Sequence, residues 1–309
     1  MRLALNFNAP EIEKMLAQRA PGLEICRVTR AGAADWRADV VLTPMSGSVE
    51  LTELLGKCRG LRWLHVLGTG VDNFPFELAG GRLITCSRGA TAVPIAEWVM
   101  AMMLTFEKQL PASWVTAPRA EWSKASLGTL DGRTLGLLGF GTIGREVATR
   151  AVAFGMRLLA KVRRHRPSPV AGVDFVQDLD AILRESDHLV LALPATRASR
   201  GMLGASNLSK LKTGVHLVNV ARAGVLDQEA LKVMLDAGHV AMASLDVVEA
   251  EPPPAGHWLY GHPQVRLSPH VSWSGPRVVE DMMAMFFCNL DAFGRGEPLE
   301  GRVDPSAGY

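Results

Sequence analysis

The sequence predicts an α/β protein with two domains, each built on a parallel β-sheet that helices cover. Short apolar runs alternate with helix-length segments along the chain, a pattern typical of strands buried on both faces of a sheet. A long apolar helical pattern divides these runs into two series. The chain of 309 residues is also long enough for two domains with a core each.

The predicted strands are the apolar runs themselves. In the first series they span residues 2–7, 40–43, 63–67 and 83–86. In the second series they span residues 134–139, 156–162, 188–193, 215–220 and 242–246. We therefore expect two Rossmann-like or flavodoxin-like domains, with an active site in the cleft between them.

Two helical patterns set the predicted domain boundaries. Residues 93–110 carry Ile95 and Val99 at helical spacing, and we interpret this segment as the helix that joins the domains. A second helical pattern at residues 277–293 would return the chain to the first domain. The predicted first domain comprises residues 1–95 and 277–309, and the predicted inserted domain comprises residues 96–276.

The composition excludes several classes of protein. The 33 basic and 31 acidic residues give a net charge of +2, which provides no general reason to expect a nucleic-acid or membrane partner. No apolar run reaches the length of about 18 residues that a membrane helix needs, and the N-terminal segment is too soon polar for a signal peptide. We therefore expect a cytoplasmic protein. The 4 cysteines form no CxxC pair, so we expect buried reduced thiols and no metal site.

A glycine-rich turn follows the strand predicted at residues 134–139. Gly139, Gly141 and Gly144 lead directly into a helix-like segment. In a dinucleotide-binding unit, the first glycine permits the tight turn, the second lets the backbone approach a pyrophosphate, and the third allows close helix packing. The alternative is a tight turn that binds no ligand. We predict a cofactor site that also includes Thr142 and Ile143.

The end of the next strand indicates which nicotinamide cofactor binds. An acidic residue about 20 positions after the glycines would hold the ribose 2′-hydroxyl of NAD. Here Val162 is followed by Arg163 and Arg164, which can grip a 2′-phosphate through charge-assisted hydrogen bonds. We predict that NADP(H) is preferred over NAD(H). The alternatives for this basic run are a solvated loop and a weak nucleic-acid patch.

An arginine, an acid and a histidine follow later strands of the second series. Arg222 can bind a substrate carboxylate in a bidentate manner, and His270 can give a proton to an oxygen as a hydride reaches the adjacent carbon. Glu251 can orient that imidazole. Each residue alone could instead be a surface charge, a loop acid or a core histidine. Together they predict reduction of a small keto acid.

The chain as a whole resembles the D-isomer-specific 2-hydroxyacid dehydrogenases. That family includes glyoxylate/hydroxypyruvate reductases, D-lactate dehydrogenases and phosphoglycerate dehydrogenases. The motifs that carry the resemblance occur in the family's order at residues 68–73, 96–97, 138–144, 219–222, 245–247, 251–252 and 268–270.

The resemblance implies a role for each candidate. Arg222 would bind the substrate carboxylate, His270 would exchange the proton, and Glu251 would be the partner of His270. Thr69 and Gly70, in the first domain, would offer backbone N–H groups to the same carboxylate. The implied cofactor contacts also include Pro194, Val220, Ala221 and Asp246, the last beside the nicotinamide carboxamide.

Two positions depart from the family's pattern. Ala223 follows the arginine where many relatives have glycine, and Trp273 lies where many have a small alanine-glycine turn. Trp273 could reshape the substrate pocket or could pack at the hinge. The basic residues after Val162 match the NADP-using branch, which includes the glyoxylate/hydroxypyruvate reductases.

These observations predict an NADPH-dependent reductase of a small 2-keto acid, with glyoxylate and hydroxypyruvate as the first candidates. Two alternatives stay open: a nicotinamide-sensing interaction protein of the co-repressor type, and an enzyme similar to phosphoglycerate dehydrogenase. The resemblance further implies a homodimer, for which residues 114–122 are a candidate arm.

Overall fold

The computed structural model describes residues 1–28, 36–44, 49–72, 74, 76, 80–118, 122, 126–163 and 167–309. Within them the chain forms two compact units. Unit 1 consists of Met1–Thr91 and Gly275–Tyr309, and unit 2 consists of Ala92–Ser274.

The elements follow in chain order. Unit 1 contains β1 (Arg2–Leu5), α1 (Pro10–Arg19), β2 (Glu24–Arg27), β3 (Trp36–Arg37), β4 (Val40–Thr43), α2 (Val49–Lys57), β5 (Cys58–Arg59), β6 (Trp63–Val66) and β7 (Leu83–Cys86). Unit 2 contains α3 (Ala92–Glu107), β8 (Thr134–Leu138), α4 (Thr142–Ala153), β9 (Arg157–Lys161), β10 (Val173–Val176), α5 (Leu179–Glu185), β11 (His188–Leu191), α6 (Ala205–Leu208), β12 (Val215–Asn219), a 3-10 turn (Ala223–Val225), α7 (Gln228–Asp236), β13 (Val240–Leu245), α8 (Trp258–Gly261) and β14 (Val265–Leu267). The chain then returns to unit 1 in α9 (Val278–Arg295).

Unit 1 is built on a parallel sheet in the order β2-β1-β4-β6-β7. Every residue of β4 and β6 is buried, because helices cover both faces of the sheet. On one face α9 packs against β6, with the ring of Phe286 stacked on that of Trp63 at 5.4 Å between centroids. On the other face Leu51 and Leu55 of α2 join the core.

A buried histidine forms a closed polar network inside unit 1. Nδ1 of His65 lies 2.7 Å from the hydroxyl of Thr85, and Nε2 lies 3.0 Å from that of Ser87. The indole of Trp63 donates to Thr85, and Ser87 donates to the carbonyl of Met282 in α9. A neutral imidazole, with one N–H donor and one acceptor nitrogen, can make both of these hydrogen bonds. Burial lowers the pKa of His65 from 6.5 to about 3.

This histidine should make unit 1 less stable in acid. The unfolded chain binds a proton below pH 6.5 while folded His65 stays neutral to about pH 3, so stability falls as the pH falls through that window. At pH 5 the expected loss is about 2 kcal/mol relative to pH 7. Hydrogen exchange of the β6 amides at the two pH values measures it. The loss should largely disappear in His65→Gln and persist in a His257→Gln control; an equal loss in both variants would contradict this assignment.

Unit 2 is built on a larger parallel sheet in the order β10-β9-β8-β11-β12-β13-β14. The strand order reverses beside β8, and in such sheets ligands bind at the carboxyl ends of the strands on either side of the reversal. All residues of β8, β11 and β12 are buried, and the core continues on both faces of the sheet. The predicted α/β class with parallel sheets is confirmed.

The cysteine prediction needs a correction. Cys58 and Cys86 are buried, and burial raises the pKa of both thiols. Cys26 is only half-buried, and Cys288 is exposed, because it lies on the outer side of α9 rather than among its core-facing residues. All four cysteines are free.

None of the helices in the described ranges combines the length and the apolar run that a membrane crossing requires.

Candidate active site

The glycine turn after β8 requires glycine for steric reasons at two of its positions. Gly139 has φ +102°, and a Cβ there would lie 2.5 Å from the carbonyl oxygen of Ala192. A Cβ on Gly144 would lie 2.5 Å from the carbonyl oxygen of Gly139. The glycine turn is therefore in direct backbone contact with the segment after β11. Its first residue is also in backbone contact with the first turn of α4.

The same turn leaves room for a phosphate at its second glycine. A Cβ on Gly141 would meet no other atom within 4 Å, and no side chain caps the N-terminus of α4. The first N–H groups of α4 thus point to an open space where the helix dipole favours an anion. Thr142 is exposed there, and Ile143 packs against the core. The turn fits the pyrophosphate of a dinucleotide.

The residues after β9 carry basic rather than acidic groups. Val162 is buried, and Arg163 is exposed directly after it. Arg164 lies outside the described residues. An acidic residue, which would hold a 2′-hydroxyl and repel a 2′-phosphate, is present at none of these three positions.

Asn219 shapes the turn that carries Arg222 after β12. Its Oδ1 accepts a hydrogen bond from the N–H of Ala221 at 3.0 Å, and its Nδ2 donates to the carbonyl of Arg222 at 3.4 Å. The guanidinium of Arg222 donates to the carbonyl of Ala221 at 2.7 Å. Val220 and Ala221 are buried, and Pro194 is exposed after the neighbouring β11. The sequence motif contained Asn219, but only the hydrogen bonds reveal its role.

Asp246, which follows β13, holds the loop that carries His270. One carboxylate oxygen accepts hydrogen bonds from the hydroxyl of Ser268 at 2.5 Å and the N–H of Val271 at 2.9 Å. The other oxygen accepts from the N–H of Ser272 at 3.0 Å. Asp246 is only 2% exposed. Asp246 therefore has a structural role in the histidine loop, in addition to the cofactor contact that the resemblance predicts for it.

His270 and Glu251 form a hydrogen-bonded pair. Nδ1 of His270 lies 2.8 Å from Oε2 of Glu251, whose other oxygen accepts the N–H of Val248 at 3.1 Å. Because a carboxylate accepts hydrogen bonds, Nδ1–H is the donor, and Nε2 has no hydrogen-bond partner within the described part of the chain. His270 has φ +54°, a left-handed conformation that is uncommon for a residue with a side chain. The two residues are brought together across 19 positions of sequence.

A cavity of about 830 Å³ in unit 2 reaches this pair. Glu251 and His270 lie on its wall together with Asp246 and Ser268. The apolar part of its lining includes Trp98, Met102, Val248, Leu259, Tyr260 and Leu267. A concave apolar site with a few convergent polar groups is the usual form of a small-molecule site.

Thr69 and Gly70 lie in unit 1, in the turn after β6. Both are half-buried. The carbonyl of Gly68, just before them, accepts the N–H of Ser87 at 3.1 Å. The thiol of Cys86 lies 3.9 Å from the carbonyl of Thr69. These contacts anchor the turn to the end of β7.

Comparison with known proteins gives consistent results. Residues 100–272 match the family model of the NAD-binding domain of D-isomer specific 2-hydroxyacid dehydrogenases. A hydroxypyruvate reductase from Thermotoga maritima is 36% identical over 217 residues, which cover 69% of this chain and 70% of that enzyme. A D-3-phosphoglycerate dehydrogenase from Bacillus subtilis is 30% identical over 289 residues, covering 91% of this chain but only 55% of that enzyme.

A solved structure extends the similarity to the whole fold. The NADPH-dependent glyoxylate/hydroxypyruvate reductase from Sinorhizobium meliloti, in complex with NADP and sulfate, superposes with a TM-score of 0.85 and 27% identity. The match covers 100% of this chain and 99% of that one.

Proposed function

Because the chain belongs to the D-isomer-specific 2-hydroxyacid dehydrogenase family, we propose that it reduces a small 2-keto acid of the glyoxylate or hydroxypyruvate type with NADPH. The observation that carries this proposal is the pair of His270 and Glu251, 2.8 Å apart, in a loop that Asp246 fixes. The relatives named as hydroxypyruvate and glyoxylate reductases support the substrate class.

Each residue has a defined task in the proposed reaction. Arg222 binds the substrate carboxylate, and the backbone N–H groups of Thr69 and Gly70 are further donors to it. Nε2 of His270 gives a proton to the keto oxygen, and Glu251 stabilises the imidazolium until the proton is lost. NADPH, when bound at the glycine turn, supplies the hydride that adds to C2. Pro194, Val220 and Ala221 lie along its proposed path beside the strand ends.

The first test is oxidation of NADPH by the purified protein with glyoxylate, hydroxypyruvate, pyruvate, 2-ketobutyrate and phenylpyruvate, with NADH in parallel. Turnover of glyoxylate or hydroxypyruvate, faster with NADPH, is the expected result. Absence of turnover with every acid, despite measurable NADPH binding, would refute the reductase and favour a nicotinamide-sensing role.

We propose that Arg163 and Arg164 bind the 2′-phosphate of NADP(H). Their charge supports this, as does the absence of an acid from positions 162–164. Arg163→Glu should raise KM for NADPH by about 30-fold or more, since the loss of even one charge-assisted hydrogen bond of about 2 kcal/mol has an effect of that size, and should change KM for NADH by less than about threefold. Arg150→Glu, also on unit 2, is the control. Equal effects on both cofactors would remove the argument for a phosphate site.

We also propose that the protein is cytoplasmic and that two copies of the chain form a homodimer. Trp114 and Trp122 support the pairing, because they are 64% and 71% exposed, and exposed aromatic side chains of this size are typical of interaction surfaces. Residues 119–121 of the candidate arm lie outside the described residues. Gel filtration that shows only a monomer would contradict the dimer.

A further inference from the structure

The backbone of His270 is held in an unusual conformation next to an unusual residue. At φ +54° the Cβ of a histidine crowds the backbone, so such a conformation persists only where the surroundings fix it. Trp273 lies three positions later, and its indole N–H donates to the carbonyl oxygen of His270 at 2.7 Å.

With this hydrogen bond, both polar groups of one peptide are held by side chains. The peptide between His270 and Val271 has two polar ends. Its N–H donates to Oδ1 of Asp246 at 2.9 Å, and its carbonyl accepts from Trp273 at 2.7 Å. Rotation of this peptide would break both bonds at once. The peptide plane sets ψ of His270 and so the direction in which its side chain leaves the backbone.

We propose that Trp273 is a positioning residue for proton transfer: its indole N–H fixes the His270–Val271 peptide and thereby aims the imidazole. The inference rests on the proposed function for its catalytic consequence. Glu251 fixes the ring from the side of Nδ1, Asp246 fixes the peptide N–H, and Trp273 fixes the peptide carbonyl. Catalytic geometry of this kind has to be held to within about 0.5 Å.

The exposure of Trp273 argues against a packing role. The residue is 36% exposed, whereas the buried Trp63 of the unit 1 core is 0% exposed. A tryptophan that served mainly as core would bury its ring more completely. Trp273 thus keeps a large side chain partly in solvent while its one polar atom is bonded to the catalytic loop.

The kinetic test compares two indole N–H groups of unit 2. Trp273→Phe should lower kcat about five- to tenfold, the effect of one lost hydrogen bond, with KM for NADPH unchanged. Trp258→Phe is the matched control, because its indole N–H donates to Glu229 at 3.1 Å on the surface. In a His270→Asn background, Trp273→Phe should cause no further loss. An unchanged kcat, or a full further loss in that background, would overturn the proposal.

A spectroscopic test needs no turnover and separates this inference from the proposed function. In wild-type protein the indole N–H of Trp273 should exchange slowly with solvent despite its exposed ring. Trp273→Phe, or Trp273→Tyr if the first variant folds poorly, should shift the NMR signals of the His270 ring and the Val271 amide. Trp258→Phe should not. Rapid exchange of the indole proton, or unshifted signals, would refute the positioning role even if the enzyme turns over; shifted signals in an enzyme inactive on every acid would refute only the proposed reaction.

Discussion

Replacing His270 with asparagine is expected to lower kcat by about 10²- to 10⁴-fold, the usual contribution of a positioned general acid. Asparagine is the informative substitution, because it tolerates the left-handed backbone of this position while it removes the proton. The Asp246 hydrogen bonds to the loop should therefore survive. The Kd for NADPH should change by less than about threefold, because the glycine turn after β8 is untouched.

Steady-state kinetics and fluorescence titration of NADPH measure these two quantities. His257→Asn is a suitable control, since His257 lies before α8 and bonds to the N–H of Leu259. Near-normal turnover of His270→Asn would exclude His270 as the proton donor. A parallel loss of NADPH binding would show instead that the substitution damaged the fold of unit 2.

Replacing Arg222 with glutamine is expected to lower kcat/KM for the keto acid by about 10²- to 10³-fold. A bidentate guanidinium–carboxylate pair contains two charge-assisted hydrogen bonds, each worth about 1.5–3 kcal/mol, and the neutral amide recovers only part of them. Arg222→Lys should recover part of the activity but not all, because an ammonium lacks the planar fork. Arg222 has an extended backbone, so neither substitution strains the chain.

The readout should include inhibition by oxamate, a carboxylate of similar shape to pyruvate. Its Ki should rise together with KM if Arg222 binds the carboxylate. Arg184→Gln provides the control, since that arginine lies on α5 and pairs with Asp180 at the surface. An unchanged Ki for oxamate would assign the carboxylate to other donors.

The sequence predicts interior strands better than edge strands, and burial explains the difference. Val40–Thr43 was predicted with its observed bounds, and Thr134–Leu138 to within one residue, because buried parallel strands are continuous apolar runs. The strands Glu24–Arg27, Val173–Val176 and Val265–Leu267 were not predicted, and all three lie at sheet edges. These three edge strands are only partly buried, so their apolar pattern is broken. Leu83–Cys86 is also an edge strand, but three of its four residues are buried, and it was predicted with its observed bounds.

In the candidate site, the sequence predicts which residues take part, but not how the backbone positions them. The types and order of Arg222, Glu251 and His270 were enough to nominate them, and the structure brings the last two to 2.8 Å. The hydrogen bonds of Asp246 to main-chain N–H groups, and that of Trp273 to a main-chain carbonyl, depend on how the loop turns. No spacing in the sequence specifies that turn, so these two roles emerge only from the structure.

The order of strands in unit 2 also sets the distance that the proposed cofactor and substrate have to span. The glycine turn follows β8 and the histidine loop follows β14, and four strand-to-strand steps separate them through β11, β12 and β13. At about 4.8 Å per step, the two ends are roughly 19 Å apart. A mononucleotide held by its phosphate at the glycine turn would stop short of the histidine, whereas the extended dinucleotide and the small keto acid of the proposed reaction are together long enough to span the interval. The width of the sheet therefore supports the proposed cofactor independently of any side chain.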